Sequence, residues 1–408
     1  GGSRAQRERR LHPPRTNRGR LRVRITRHHQ YATTQAWRST RTLSTMADAR
    51  PTPDHAPVVD AHLDLAFNAV AVGRDLTLPL DELRAAEGRT HETAMVTWPE
   101  LRAAGIDLVF GTLFAHPAKR QRMPPETAGD DAEAAEELDL PAYVEAEGAH
   151  AQARAQLDWY RAMEAAGWAR IVRSGADLRA LREERAASWQ APVGVVLLME
   201  GADPIRSPDE ASWWWNQGVR IVGPAWQGTR YAGGTRAPGP LTPLGFELVD
   251  AMQALGLALD VSHLADEALW QVLGRFEGPL LASHSNARAL TPSDRHLSDE
   301  ALRALGERDA VVGLVLGNPF LDPTAGRRGP VDLRQVGRHQ RHVAALVGAD
   351  RVGVGSDFDG GFGAEETPTE LSRGGDFARL AEAVPEAQRE HFLGGAWWAW
   401  LERSLPTS

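Results

Sequence analysis

Eight short apolar, β-branched runs recur along the chain: 57–62, 106–114, 193–199, 219–225, 256–262, 279–284, 310–316 and 351–356. Each has the length and continuous hydrophobicity of a strand buried on both faces of a parallel sheet. Most intervals between them carry apolar residues at helical spacing, as in Asp266-Glu267-Ala268-Leu269-Trp270-Gln271-Val272-Leu273. Another example is Ser298-Asp299-Glu300-Ala301-Leu302-Arg303-Ala304-Leu305, where Ser298 is placed to cap a helix and the acids suit its first turn. Strands alternating with helices predict parallel βαβ units, and eight of them predict an α/β fold closed as a (β/α)8 TIM-like barrel. The rival, an open doubly wound sheet, often carries a glycine-rich phosphate loop after its first strand. No such loop follows Val58-Val59-Asp60-Ala61-His62. A long insertion separates the second and third runs. Its acidic, Ala-rich start, 124–148, reads as helical or mobile with a solvated face, and 149–166 reads as a helix packed outside the barrel.

Five of the runs end in metal-ligand residue types, at the strand ends where such barrels place their chemistry. His62 and Asp64 are two apart, a spacing that on a strand turns both side chains to one face, here the barrel interior. Asp60, just before them, could support a ligand from behind. Glu200 closes the run Val195-Val196-Leu197-Leu198-Met199 and precedes Gly201. A carboxylate there is costly unless it meets a cation. It either starts a helix paired with an arginine or, with one oxygen per ion, bridges two metals. His263 and His284 each follow a strand and a serine, in consecutive βα units. Imidazole with carboxylate suits zinc, and also manganese or cobalt. Asp357, in Gly355-Ser356-Asp357-Phe358-Asp359-Gly360, is placed to take a proton from metal-bound water and return it to a leaving amine; the turn-forming aspartate is rather Asp359. Arg295 is either a bidentate partner for a substrate carboxylate or a surface residue. The pattern points to a metal-assisted hydrolase.

Composition narrows the picture. A chain of 408 residues with 42% apolar content has room for one large barrel or two ordinary domains, and no run is long enough to cross a bilayer. The absence of cysteine excludes thiolate ligands, so zinc must be held by histidine and carboxylates. The tryptophans of Trp213-Trp214-Trp215 and Trp397-Trp398-Ala399-Trp400 read as helix packing and interface surface. Residues 1–45 hold twelve arginines against one acid, Glu8, a net of +11, which leaves −19 on the rest. This arm lacks an apolar period and is expected to be disordered. It reads as a transit peptide, a nucleic-acid tail, or upstream sequence outside the functional fold. The last is favoured, because Met46 opens a short polar lead into the first strand. The expected organisation is therefore an arm, 1–45, and a single barrel domain, 46–408. The acidic body argues against a nucleic-acid partner.

Taken together, the segments Asp60-Ala61-His62-Leu63-Asp64, Met199-Glu200-Gly201, Leu241-Thr242-Pro243-Leu244-Gly245, Asp260-Val261-Ser262-His263, Ala282-Ser283-His284-Ser285 and Val354-Gly355-Ser356-Asp357-Phe358-Asp359-Gly360 resemble the membrane (renal) dipeptidase family of metallopeptidases. The resemblance covers about residues 57–400. It implies a binuclear zinc site in which His62 and Asp64 hold one ion, His263 and His284 hold the other, and Glu200 bridges them. A hydroxide shared by the ions would attack the peptide carbon, Asp357 would shuttle the proton, and Arg295 would hold the C-terminal carboxylate. The implied substrates are dipeptides, L-L and also L-D. The implied form is a homodimer, a state the aromatic clusters also suit. The family's animal members carry a secretion signal, disulfides and a lipid anchor; none is visible here, so a soluble cytoplasmic form is expected.

Two positions depart from the pattern. Trp226 stands where the family's usual member has a histidine that contacts substrate and helps polarise the scissile carbonyl, and indole can donate one hydrogen bond but cannot become a cation. Arg230 and Arg236 are nearby candidates to substitute for it. Ala396 stands where the family commonly has asparagine. Trp226 keeps open a related metal-dependent amidohydrolase acting on another amide or a lactone. The reading outside enzymes is a barrel without catalysis, used as a binding protein.

Overall fold

The computed structural model describes residue 1 and residues 56–88, 92–118 and 140–408. Its elements all lie in Arg50–Ser408, the larger of the two units into which the chain divides. The Arg-rich arm, 1–45, and most of the acidic start of the insertion fall outside the described residues.

Among the described residues there are eleven strands. They are β1 (Val59–Leu63), β2 (Leu108–Phe114), β3 (Ala169–Ile171), β4 (Val193–Glu200), β5 (Val219–Gly223), β6 (Ala232–Gly234), β7 (Ala237–Leu241), β8 (Ala258–Asp260), β9 (Leu280–Ala282), β10 (Val311–Leu314) and β11 (Val352–Val354). The eight apolar runs correspond to β1, β2, β4, β5, β8, β9, β10 and β11. These pair in parallel, in that order, and β1 pairs back to β11, so the barrel closes. The three remaining strands are additions to this plan. β3 pairs with the first residues of β4, on the stretch before β5 joins at Leu197. β6 and β7 form an antiparallel hairpin after β5. In the insertion, the helix Ala146–Ala165 matches the expected outer helix and starts three residues earlier.

Two apolar layers result from the pleat. Leu108 and Phe110 of β2, Val196 and Leu198 of β4 and Ile221 of β5 pack in one cluster with Trp397, Trp398 and Trp400. The alternate residues, such as Val109, Leu113, Val195, Leu197 and Met199, pack in the larger cluster with the surrounding helices. Helix Ala396–Ser404 therefore plugs the barrel at the end opposite the strands' carboxyl termini. The indole N–H of Trp397 donates to the Val354 carbonyl at 3.0 Å, and that of Trp400 to the Leu280 carbonyl at 3.0 Å. Gly353 makes room for this plug, because a Cβ there would lie 2.2 Å from Trp397 Nε1. The C-terminal tryptophans are thus core and not interface surface; all three are at most 4% exposed. Trp214 is also buried, with Trp213 and Trp215 packed against the core beside it.

Trp397→Ala removes a fully buried indole and its hydrogen bond to the Val354 carbonyl. It is expected to lower unfolding free energy by about 3–5 kcal/mol, measured by equilibrium urea denaturation. A loss under about 1 kcal/mol would mean that the plug collapses to refill the space. Among the described residues no helix is long and apolar enough to cross a membrane.

Candidate metal centre

The pairing of β1 with β2 shifts register between Asp60 and Leu63. Val59 and Ala61 lie in the inner cluster, so a regular strand would send His62 outward. The irregularity turns His62 and the following Asp64 into the barrel mouth. Glu200 needs no such device. It continues the inward alternation of Val196 and Leu198, and lies beside Phe114 in the β2–β4 register. Gly201 then takes φ 78°, a left-handed turn that glycine makes without steric cost.

The side chains converge. Glu200 Oε1 lies 3.1 Å from His263 Nε2, 3.4 Å from His284 Nε2 and 3.6 Å from His62 Nε2. His62 Nε2 is 3.9 Å from Asp357 Oδ1, and the Nε2 atoms of His263 and His284 are 3.1 Å apart. Three triads each place one ligand atom per residue within 4.8 Å of one another: His62, His284 and Asp357; Glu200, His263 and His284; His62, Asp64 and Glu200. His263 and Asp357 adopt positive φ, 64° and 61°. Such backbone is uncommon outside glycine and gathers at functional sites.

The opposite ring nitrogens explain why every Nε2 points inward. His62 Nδ1 and His284 Nδ1 meet Ser283 Oγ at 3.2 and 2.8 Å, and His263 Nδ1 meets Thr235 Oγ1 at 3.0 Å. A proton on each Nδ1 satisfies these contacts, and Ser283 can pass its own proton toward Ser262 Oγ, 3.4 Å away. That assignment leaves three Nε2 lone pairs facing one space, the state in which imidazole binds a metal. His62 Nε2 is buried with no hydrogen-bond partner among the described residues. Thr112 Oγ1 donates to Asp64 Oδ1. Asp260 Oδ1 accepts from the backbone of Ser262 and Ser283, at 2.9 and 3.0 Å, which joins the two histidine-bearing loops.

The electrostatics show what the donor set lacks. Asp64, Glu200 and Asp357 are all buried. Burial and the charge of Glu200 push Asp64 up to about 6. Burial drives Asp357 well above the carboxylate range, with Asp64 and Glu200 adding to the rise. Burial would depress His62, yet the charges of Glu200, Asp357 and Asp64 carry it up to about 10. His263 falls to about 4 through burial and the charge of Arg295. Three buried carboxylates with a single imidazole, His62, drawn to its charged form, while His263 and His284 are held neutral, are a costly arrangement that divalent cations would relieve. The residues fit such ions.

The supporting residues divide. Asp60 does not reach the ligand rings. Its Oδ1 accepts from Ser356 N at 2.8 Å and its Oδ2 from Ser356 Oγ at 2.5 Å, which ties β1 to the loop that bears Asp357. Asp359 accepts from Met95 N at 2.9 Å and Val96 N at 3.0 Å. Arg295 is buried beside the cluster, with Nη2 donating to the His284 carbonyl at 2.8 Å and Nη1 to Ser285 Oγ at 3.2 Å. Trp226 is half-buried at the rim, its ring 6.3 Å from that of His263. Arg230 does not join the cluster. Its guanidinium donates to the Ile205 carbonyl at 2.8 Å and faces Asp203 Oδ1 at 3.4 Å. The backbone N–H of Arg236, in the β6–β7 hairpin, donates to Asp294 Oδ2 at 2.7 Å. The serine and threonine hydroxyls behind the histidines carry no motif of their own. The serine immediately before His263 and before His284 was their one sequence signal.

A (β/α)8 barrel that gathers imidazoles and carboxylates at the carboxyl ends of its strands has the architecture of a metallopeptidase-type hydrolase. The chain belongs to the membrane dipeptidase family, peptidase family M19, whose sequence model matches residues 46–399. It is 34% identical over 205 residues to an "Uncharacterized protein in pqqA 5'region" of Klebsiella pneumoniae, a match over 48% of this chain and 73% of that protein. It is 28% identical over 188 residues to an "Uncharacterized protein in PQQ-III 3'region" of Acinetobacter calcoaceticus, over 44% of this chain and 58% of the relative. Among solved structures, an M19 metallopeptidase described as dipeptidase AC superposes with a TM-score of 0.68 at 28% identity, over 86% of this chain and 99% of its own. A metallopeptidase from Rhodobacter sphaeroides, bound to a phosphinate mimic of L-Ala-D-Ala, superposes with a TM-score of 0.68 at 27% identity, over 86% of this chain and 100% of its own.

Proposed function

We propose that this protein hydrolyses the peptide bond of dipeptides, L-D as well as L-L, with two divalent cations, zinc first among them. The observation that carries this reading is the meeting of three inward Nε2 atoms around Glu200 Oε1, in a chain of the M19 family. His62 and Asp64 would hold one ion, His263 and His284 the other, and Glu200 would serve both. When bound, the ions supply Lewis acidity for the scissile carbonyl and a water acidic enough to act as a nucleophile near neutral pH. The L-D reading draws support from the Rhodobacter sphaeroides relative, whose ligand mimics L-Ala-D-Ala.

The protein's own groups bind, orient and move protons. Arg295, a buried guanidinium beside the cluster, pairs with the substrate's C-terminal carboxylate. Asp357 carries the proton from the attacking water to the leaving amine nitrogen. Trp226, half-buried at the rim, has one indole N–H, so it can donate once toward the substrate and no more.

Metal content and turnover test the reading together. The purified protein is expected to bind two zinc ions per chain and to hydrolyse a panel of L-L and L-D dipeptides, with manganese or cobalt able to replace zinc. Two ions with no dipeptide turnover would move the assignment to another amide or a lactone, the reading that Trp226 keeps open. A chain that binds no metal would sink the enzymatic reading and leave a binding protein.

A further inference from the structure

Four rings meet on one side of the barrel mouth. Phe114, at the end of β2, lies edge-on to Phe67 at 5.2 Å and to Trp226 at 5.0 Å between centroids. His116 completes the group, 6.5 Å from Phe67, 6.2 Å from Phe114 and 6.2 Å from Trp226. The arc starts three residues after Asp64 and ends at Trp226, beside His263. Phe67, His116 and Trp226 are only half-buried, so the arc is partly open to solvent. Phe67 and Phe114 carry no polar atom, and no carboxylate belongs to the arc. No motif singles out Phe67, Phe114 or His116 in the sequence.

The ring order of the barrel sets where this arc stands relative to Arg295. Around the closed sheet the strands run β1, β2, β4, β5, β8, β9, β10, β11. β9, whose following loop bears Arg295, is four places from β2 in a ring of eight, diametrically across the mouth. The metal cluster lies between them. In a dipeptide, the C-terminal carboxylate and the side chain of the N-terminal residue lie on opposite sides of the scissile carbonyl. A substrate with its carboxylate on Arg295 and its carbonyl at the cluster sends its N-terminal residue toward the rings.

From this arrangement we infer that Phe67, Phe114, His116 and Trp226 form the specificity pocket for the N-terminal residue's side chain, and that it selects large apolar, above all aromatic, side chains. The inference rests on the dipeptidase reading and on the place given to Arg295. Covering an apolar side chain with ring surface raises kcat/KM by the share of its transfer free energy realised in the transition state, about 10–100-fold for a side chain of leucine or phenylalanine size.

The experiment compares two dipeptide series on the zinc-loaded enzyme: Gly-Ala, Leu-Ala and Phe-Ala, against Ala-Gly, Ala-Leu and Ala-Phe. The expected result is a Phe-Ala to Gly-Ala ratio of kcat/KM of about 10–100, with an Ala-Phe to Ala-Gly ratio within about threefold. Trp226→Ala and Phe67→Ala should each pull the first ratio down by about tenfold, and Trp226→Phe should keep most of it. Both substituted side chains stand at the rim, and far-UV circular dichroism and metal content verify the folded holoenzyme. A preference that resides in the Ala-Xaa series, or a first ratio that neither alanine variant moves, overturns the pocket and leaves the dipeptidase reading standing. A metal-loaded protein that hydrolyses neither series overturns that reading itself, and the pocket with it.

Discussion

Asp357→Asn is expected to lower kcat for a hydrolysed dipeptide by roughly 10²–10⁴-fold, the usual worth of a positioned acid–base group. Asp357 follows β11 in a left-handed backbone of φ 61°, and its N–H donates to the His62 carbonyl at 3.2 Å. Gly360 lies so close that a Cβ there would sit 1.9 Å from Asp357 Oδ1. The backbone of Asp357 is therefore tied to β1, and Gly360 leaves the room its carboxyl occupies. Asparagine keeps its shape and loses its ability to accept and return a proton. KM should change little and both metals should remain, because the proton role is separate from binding. Full turnover in the variant would end the shuttle assignment. Loss of one metal would show that Asp357 is a ligand, a role its nearness to His62 and His284 permits.

The second large effect is on metal binding. Glu200→Gln removes the one negative charge that lies within 3.6 Å of all three Nε2 atoms. A carboxylate can give one oxygen to each of two ions; an amide has a single carbonyl oxygen and no charge. Occupancy should fall at both positions after dialysis, and by more than the roughly 10–100-fold in affinity that loss of a merely supporting group costs. Turnover should fall with it. Elemental analysis of dialysed protein decides the matter. Loss confined to one position would mean that Glu200 does not serve both ions, and unchanged occupancy would remove it from the ligand set.

The barrel was legible because parallel strands buried on both faces must be continuous apolar runs, and all eight runs became barrel strands. The smaller strands were not. β3 is three residues long, and β7, Ala237-Pro238-Gly239-Pro240-Leu241, has the composition of a turn. It pairs only as half of a short hairpin away from the barrel sheet, where proline's missing donor is tolerated. Of the helix packing and interface surface expected of the C-terminal tryptophans, the structure shows the packing and not the surface, for a related reason. A tryptophan-rich helix can face a partner or a core, and only the open end of the barrel determined that Trp397 and Trp400 fill it.

Residue types at strand ends are a property of the sequence. The order of strands and ligand-type residues along the chain determined by itself that His62, Asp64, Glu200, His263, His284 and Asp357 would share the rim of a barrel, since parallel strands all end on one side. The tertiary structure decided which way each group faces and what stands beside it. It placed the register shift in β1 that turns His62 inward, and the hydroxyls of Ser283 and Thr235 that take the Nδ1 side of three imidazoles. It engaged Arg230 with Asp203 and the Ile205 carbonyl, away from the cluster. It also set the aromatic arc across the mouth from Arg295. Those outcomes depend on contacts between residues far apart in the chain, and closure of the barrel alone brings them together.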